Sequence, residues 1–353
     1  MQRLALAFTG SAAEFRRLWL RNLGWNLLLT GFFTPMARRR TAQYFAAHTL
    51  LDGSPIESVV QPTGRKWKLL AIGVLYVAMR IAADLGWGPP LPLLVIAGLV
   101  IVPYFWGSMT HARVAGTRWR DVQLHWQASW VEIYRASWPL YAIGLPWAAI
   151  VSRVAPPRPG VAPQIDPQLL ALLGGAALIA SPFLVRLAFN WRRLMVTRTL
   201  AGLDAVRWDV RFGPYLRIWL ATAVAVLASV LPVLALLRYA FFGAFGGPDE
   251  LTGPAAILLP LGSALLALLL SGPARAWHEA RMFVLLWNGL RVGDDARFEC
   301  TLRPAAFVRL RARNVLRTVA SLGRARPQGI VEEYRMKCES LALLVAATRG
   351  EKL

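Results

Sequence analysis

Four histidines and two cysteines are the side chains best suited to metal binding or catalysis, but their spacing matches no known reactive site. A metal site needs converging ligands, usually with cysteine or carboxylate partners. His278 and Glu279 begin an HExxH-like pattern, but Met282 stands where the second histidine is required. The chain contains no GxGxxG, GxxxxGK[S/T] or GxSxG motif. We therefore predict no catalytic, cofactor-binding or metal site, and we expect that the protein is not an enzyme.

The remaining reactive side chains favour structural roles. His48 and His111 each come five residues before a glycine, which suits a hydrogen bond to the backbone of a turn. Cys300 and Cys338 could form a redox pair, but cysteine is also an ordinary small apolar residue in strands and helices. No CxxC motif accompanies them.

The composition combines high hydrophobicity with high positive charge. Of the 353 residues, 56% are hydrophobic and 17% are charged, whereas soluble domains contain about 25% charged residues. The net charge is nevertheless +21. This combination is typical of a bacterial inner-membrane protein whose basic loops lie on one side of the bilayer, and it disfavours a soluble nucleic-acid-binding protein.

Six segments contain the roughly 20 apolar residues that a membrane-spanning helix requires. They are residues 68–86, 90–108, 133–152, 168–188, 215–241 and 254–273. Short connections rich in glycine and proline join them in pairs. The sequence therefore predicts an all-α polytopic membrane protein with about six transmembrane helices in three hairpins, built from degenerate repeats, with a small cytoplasmic β-sheet cap.

The long connections between these pairs hold most of the lysine and arginine residues. By the positive-inside rule, these connections and both termini are cytoplasmic. The N-terminal apolar run is too short for a signal peptide, so we expect that it is retained. The sequence therefore predicts three regions. Residues 1–67 form a cytoplasmic strand, an interfacial helix and a basic loop, and residues 68–273 form a transmembrane region of three helical hairpins with cytoplasmic strand-turn insertions. Residues 274–353 form a cytoplasmic C-terminal repeat with interfacial helices.

Two further segments, residues 17–34 and 306–323, leave alternatives open. The apolar run in the first is 11 residues long from Leu23 to Phe33, and the second contains four arginines. Each arginine costs about 2.5–3.5 kcal/mol at the centre of a membrane helix. We favour helices that lie in the cytoplasmic interface, and the alternative is a pair of additional spans.

The two segments belong to an apparent internal repeat. Residues 8–31 align with residues 300–323 at identical positions that include Phe15 with Phe307 and Asn22 with Asn314. Weaker copies lie between them, each with a glycine turn, a short strand and an aromatic residue that opens the next helix. The turn glycines are Gly53, Gly116, Gly202 and Gly293. The aromatic residues are Phe15, Trp67, Trp130, Tyr215 and Phe307. The strands are expected at about 3–9, 55–61, 118–124, 205–211 and 296–302.

Arg38, Arg39 and Arg40 immediately follow the first interfacial segment. A basic run beside apolar segments is suited to contact with anionic lipid headgroups, at about 1 kcal/mol per residue. We therefore predict that these arginines bind anionic lipid and not nucleic acid.

The stretch NLLLTGFFTPMARRRTAQYFAAHTLLDGSPIE resembles the bacterial inner-membrane YjgN family, a domain of unknown function. The resemblance is specific over Asn22–Glu57 and looser elsewhere, and the C-terminal copy keeps Pro327 without the basic cluster. It implies an inner-membrane location and supplies no catalytic residues. It also implies a partnership with a membrane metallopeptidase.

The function expected from these observations is a non-enzymatic scaffold or an envelope-associated subunit in the inner membrane. The alternative is a transporter or channel for a small or lipid-like solute, which the shortage of ionisable residues deep in the predicted spans disfavours.

Overall fold

The computed structural model describes residues 2–31, 33–58, 90–120, 122–151, 167–202, 204–245 and 255–346, together with the single positions 73, 77 and 81. Within these residues the chain forms ten strands. They are β1 (Gln2–Phe8), β2 (Thr49–Leu51), β3 (Ser54–Ser58), β4 (Thr117–Trp119), β5 (Val122–Trp126), β6 (Thr199–Ala201), β7 (Asp204–Trp208), β8 (Leu290–Val292), β9 (Ala296–Cys300) and β10 (Leu341–Val345).

The same residues form helices that separate the strand pairs. They are α1 (Ala12–Leu28), α2 (Thr34–Ala47), α3 (Pro90–Ala115), α4 (Trp130–Ala136), α5 (Trp138–Val151), α6 (Pro167–Thr197), α7 (Phe212–Phe245), α8 (Ala255–Leu270), α9 (Gly272–Asn288), α10 (Pro304–Ala320) and α11 (Arg326–Glu339).

The strands form a closed antiparallel barrel of hydrogen-bonded neighbours in the order β1-β10-β9-β8-β7-β6-β5-β4-β3-β2. Four hairpins, from β2–β3 to β8–β9, supply eight of the strands, and β1 pairs with β10 to join the two ends of the chain. In the β2–β3 turn, Asp52 and Gly53 have φ angles of 50° and 72°. Two successive left-handed residues suit the two-residue turns that match strand twist.

This barrel shows that the predicted all-α fold with a small β-sheet cap is wrong. Strands β2, β4, β6 and β8 directly follow helices and contain three residues each, which is too few for an alternating pattern to show in the sequence. Strand β10 has the continuous apolar sequence LALLV, which periodicity cannot distinguish from a short piece of helix. The sequence analysis therefore predicted five strands, and the missing strands are the ones that close the barrel.

The predicted set of six transmembrane helices in three hairpins is also wrong. Among the described residues, two helical segments are long and apolar enough to cross a membrane, Val95–Ala115 in α3 and Phe212–Leu237 in α7. The segment 133–152 is divided between α4 and α5, and the segment 254–273 is divided between α8 and α9. The segment 68–86 lies outside the described residues except at positions 73, 77 and 81.

The chain divides into two compact units. The first contains Met1–Pro55, Asp209–Leu290 and Asp295–Leu353, and the second contains Ile56–Trp208 and Arg291–Asp294. The region boundaries predicted at residues 67 and 273 stay a prediction.

An aromatic cluster forms much of the core in the first unit. The ring of Phe45 lies 5.8 Å from that of Phe8, 5.0 Å from that of Phe15 and 4.3 Å from that of Tyr334, measured between centroids. The Tyr334 hydroxyl lies 2.8 Å from the hydroxyl of Thr49 at the start of β2. These contacts hold helices α2 and α11 against strands β1 and β2.

The core of the second unit lies between α3, α4, α6 and β5. Val114, Trp126 and Ile133 are buried there, and the partly buried Trp106 stacks on Trp191 with a centroid distance of 4.8 Å. A capping box at Ser129 and Glu132 starts α4. Glu132 also forms an ion pair with Arg198 at the end of α6. These contacts fix α4 against α6.

Candidate functional site

The predicted lipid-binding arginines lie in the second turn of α2, after Pro35 at the start of the helix. Arg38 is exposed, and Arg39 and Arg40 are half-buried. The guanidinium carbon of Arg40 lies 5.1 Å from the centroid of the Phe33 ring. Within the part of the chain that the structure describes, none of the three arginines forms an ion pair with a carboxylate. Their positive charge therefore stays available to an external anion.

The connection between α1 and α2 presents apolar side chains to the surroundings. Leu27 and Leu28 are 72% and 75% exposed. The chain reverses at Thr30 and Gly31, whose φ angles of 44° and 89° are left-handed. Arg38 lies four residues after Thr34, the first residue of α2, or about 6 Å along the helix at 1.5 Å per residue. The hairpin thus has an apolar tip with a basic segment set back from it.

The hairpin of α10 and α11 repeats this geometry at positions 292 residues later. Asn22 donates its side-chain amide to the Ala37 carbonyl at 3.4 Å, and Asn314 donates in the same way to the Gly329 carbonyl at 3.2 Å. The left-handed pair Leu322 and Gly323 has φ angles of 50° and 89°. Leu322 is 94% exposed at this second tip.

The two hairpins differ in how their charges are neutralised. Arg313 and Arg317 in α10 lie 3.2 Å and 3.7 Å from carboxylate oxygens of Glu332 in α11. Arg335 donates to the Gly10 carbonyl at 2.9 Å, so the C-terminal hairpin is tied to the start of the chain. The N-terminal hairpin is consequently the better candidate for binding an anionic surface.

A network of four charged side chains joins α9, α10 and α11. Arg311 donates to Glu333 at 2.6 Å and also pairs with Glu279, which in turn pairs with Lys337. Burial raises the pKa of Glu279, but the hydrogen bonds from Arg311 and Lys337 outweigh it and hold the pKa below the ordinary value of 4.5. The positive and negative charges balance, which is the pattern of a structural network. The sequence analysis did not identify this network, because its members lie on three helices with no local spacing to mark them.

The predicted turn glycines divide into two groups. Gly53, Gly202 and Gly293 lie in hairpin turns with φ angles of 72°, 63° and 60°. Gly116 lies between α3 and β4, where its N–H donates to the Ala112 carbonyl at 3.2 Å. In the β4–β5 hairpin that follows, Arg120 has a left-handed φ of 49°.

The aromatic residues that were predicted to open helices differ from one another in burial. Phe15, Tyr215 and Phe307 are almost completely buried, whereas Trp130 is 49% exposed and Trp67 lies outside the described residues. Ile133 is buried in the manner of these three aromatics, four residues after the N-cap Ser129. Phe15 likewise comes four residues after the N-cap Ser11. The serine four residues earlier was therefore a signal in the sequence for the buried position at Ile133.

The histidines and cysteines lie in separate environments. His48 Nδ1 lies 2.8 Å from the Tyr44 carbonyl, and His278 Nδ1 lies 2.9 Å from the Thr222 hydroxyl. Burial raises the pKa of the Cys300 thiol, and it raises that of Cys338 to about 11, so both thiols stay protonated at neutral pH. In the described ranges no group of three or more histidine, cysteine or carboxylate side chains could hold a metal ion.

Residues 3–351 match the family described as "Bacterial protein of unknown function (DUF898)". The chain belongs to this family. The resemblance to the YjgN family is confirmed at this level, because the match covers nearly the whole chain. No similar protein was found among curated proteins or among solved structures. The DUF898 assignment specifies no reaction, ligand or partner.

Proposed function

We propose that this protein resides in the bacterial inner membrane, with both termini on the cytoplasmic side, and acts there as a non-enzymatic scaffold for other envelope proteins. The exposed apolar surface of α7 is the observation on which the proposal depends. The segment Phe212–Leu237 is 26 residues long, and only 6% of its most apolar stretch is buried.

The length and exposure of this segment favour insertion into a bilayer. At 1.5 Å per residue it spans about 39 Å, which exceeds the hydrocarbon thickness of about 30 Å. Val224 and Leu236 are 66% and 65% exposed. The core helix of a soluble protein would have buried such side chains, because each contributes about 1.5–3 kcal/mol when it leaves water.

The α1–α2 hairpin provides a second contact with the membrane in this proposal. Its leucine tip enters the boundary between headgroups and acyl chains, into which amphipathic segments sink by about 5–10 Å. Arg38, Arg39 and Arg40 then lie at the level of the headgroups and bind anionic lipid. The α10–α11 hairpin enters less strongly, because Arg313 and Arg317 are already paired with Glu332.

The scaffold role is supported by the family resemblance, which implies a membrane metallopeptidase as the partner. In this proposal the barrel and the helical hairpins lie on the cytoplasmic side, where the partner contacts them.

Two experiments test the proposal. Membranes that contain the full chain are washed with alkaline carbonate, and we expect the protein to stay in the pellet; release into the supernatant would contradict membrane insertion.

Chemical cross-linking in native membranes should then recover a stoichiometric envelope protein with the chain. Recovery of the chain alone after cross-linking would contradict the scaffold role.

A further inference from the structure

A cavity of about 910 Å³ lies in the second unit, beside the C-terminal turns of α3, the β4–β5 hairpin and the start of α4. Small-molecule sites usually measure about 300–1,000 Å³ and combine apolar walls with a few polar groups. Trp126, Trp130 and Ile133 supply apolar walls here. The cavity therefore has the size and the composition of a ligand site.

Four polar side chains line this cavity without protein partners. Within the described ranges, the side chains of Glu57, Ser108, His111 and Gln127 form no hydrogen bond or ion pair. Other helical serines behave differently, since Ser181, Ser229 and Ser271 donate to backbone carbonyls three residues earlier. The polar groups of these four side chains are therefore available to a ligand in the cavity.

The charges at the cavity have opposite signs. Glu57 in β3 and Arg118 in β4 are direct cross-strand partners, and both line the cavity. The Nε atom of Arg118 donates to the Arg120 carbonyl at 2.7 Å, which fixes the position of the guanidinium group. A ligand that matches this pair has a positive and a negative group of its own.

The cavity adjoins an exposed apolar surface. Trp130 is 49% exposed and stacks on Tyr104 with a centroid distance of 5.1 Å. One turn before Tyr104 on α3, Val100 is 56% exposed. An aromatic platform and a carboxylate that line the same cavity are suited to an ammonium group. The apolar surface of α3 is suited to an acyl chain that leaves the cavity.

We propose that this cavity binds the headgroup of a zwitterionic phospholipid that contains an ammonium group and a phosphate, as phosphatidylethanolamine does. Glu57 and the ring of Trp130 hold the ammonium group. Arg118, Ser108 and His111 donate to the phosphate oxygens, and Gln127 binds the ester oxygens. The acyl chains lie along the exposed side chains of α3.

Native mass spectrometry of the full chain in detergent tests this assignment without dependence on membrane location. The probes are short-chain phosphatidylethanolamine, short-chain phosphatidylglycerol, and glycerophosphoethanolamine, which is the free headgroup. We expect one phosphatidylethanolamine molecule to bind at least tenfold more tightly than phosphatidylglycerol, and the free headgroup to bind weakly. Equal binding of the two lipids would overturn the proposal. Equal binding of lipid and free headgroup would overturn the contact with α3.

Two variants and one matched control assign the binding to the cavity. Glu57→Gln removes the negative charge at the same size, and Trp130→Ala removes the aromatic platform. Each should weaken phosphatidylethanolamine binding by about tenfold and leave phosphatidylglycerol binding unchanged, since a hydrogen bond to a charged group and a desolvated cation–π contact each have about this strength. The control is Glu299→Gln, which neutralises an exposed strand carboxylate in the first unit. Circular dichroism checks that all three variants are folded. If Glu299→Gln then weakens phosphatidylethanolamine binding as much as Glu57→Gln does, the lipid does not bind in this cavity.

Discussion

Asn22 and Asn314 each donate a side-chain hydrogen bond from one helix of a helical hairpin to the other. Both residues are buried, at 5% and 4% exposure, and both cross from the first helix of a hairpin to a carbonyl of the second. A hydrogen bond of this kind contributes about 0.5–1.5 kcal/mol to stability. These amides therefore fix the register between α1 and α2 and between α10 and α11.

Substitution of Asn314 by alanine should lower the free energy of unfolding by about 1–3 kcal/mol, because the hydrogen bond to the Gly329 carbonyl is lost and the buried side chain leaves a cavity. Gly329→Ala is the matched variant. An added Cβ there would lie 3.1 Å from Asn314 Cβ, but Ala37 occupies the equivalent position of the other hairpin, where the bond measures 3.4 Å. We expect Gly329→Ala to change the stability by less than about 1 kcal/mol. Thermal unfolding in detergent measures both, and equal losses would contradict a specific role for the hydrogen bond.

The Glu279 network predicts a dependence of stability on pH. The folded-state pKa of Glu279 lies below its ordinary value of 4.5, so its contribution is present above pH 4.5 and is lost as the pH falls through the folded-state pKa. At neutral pH, Glu279→Gln should lower the melting temperature, because Arg311 and Lys337 lose a carboxylate. The difference from the natural chain should shrink below pH 4.5. A difference that stays constant from pH 7 to pH 4 would show that Glu279 contributes only through packing.

At the scale of elements, the α1–α2 hairpin joins an apolar tip to a basic segment. A peptide of residues 12–47 in which Arg38, Arg39 and Arg40 are replaced by glutamine should bind anionic liposomes about a hundredfold more weakly at low salt, since each headgroup contact contributes about 1 kcal/mol. The loss should shrink as salt screens surface charge over about 8 Å at physiological ionic strength. The control replaces the same residues by lysine and should keep most of the affinity. Unchanged binding of the glutamine peptide would contradict the lipid contact, and a preference for duplex DNA or RNA would favour the nucleic-acid alternative.

The elements also show which parts of the fold the sequence could predict. The helices at α1, α3 and α7 were foreseeable from apolar runs, and α10 from its repeat of α1. The strands β1, β3, β7 and β9 were foreseeable from alternation and the turn repeat. The three-residue strands were not foreseeable, because their pairing depends on a partner distant in sequence. The helix breaks at Ser137 and Ser271 were hidden by continuous hydrophobicity. At the candidate sites, the arginine run is local and was visible, whereas the cavity of Glu57 and His111 depends on tertiary packing.

At the scale of the whole molecule, membrane insertion requires that the exposed apolar surface of α7 lies in lipid. The most direct measurement is cysteine labelling in native membranes, in a chain whose buried Cys300 and Cys338 are replaced by serine. A thiol in hydrocarbon reacts poorly with maleimides, because the reaction requires the thiolate. We predict that Val224→Cys stays unlabelled by a water-soluble maleimide until the protein is denatured in detergent, whereas Asp294→Cys, at a side chain that is 77% exposed, is labelled at once. Labelling of Val224→Cys in intact membranes as fast as that of Asp294→Cys would contradict the central claim that this helix is embedded in the bilayer.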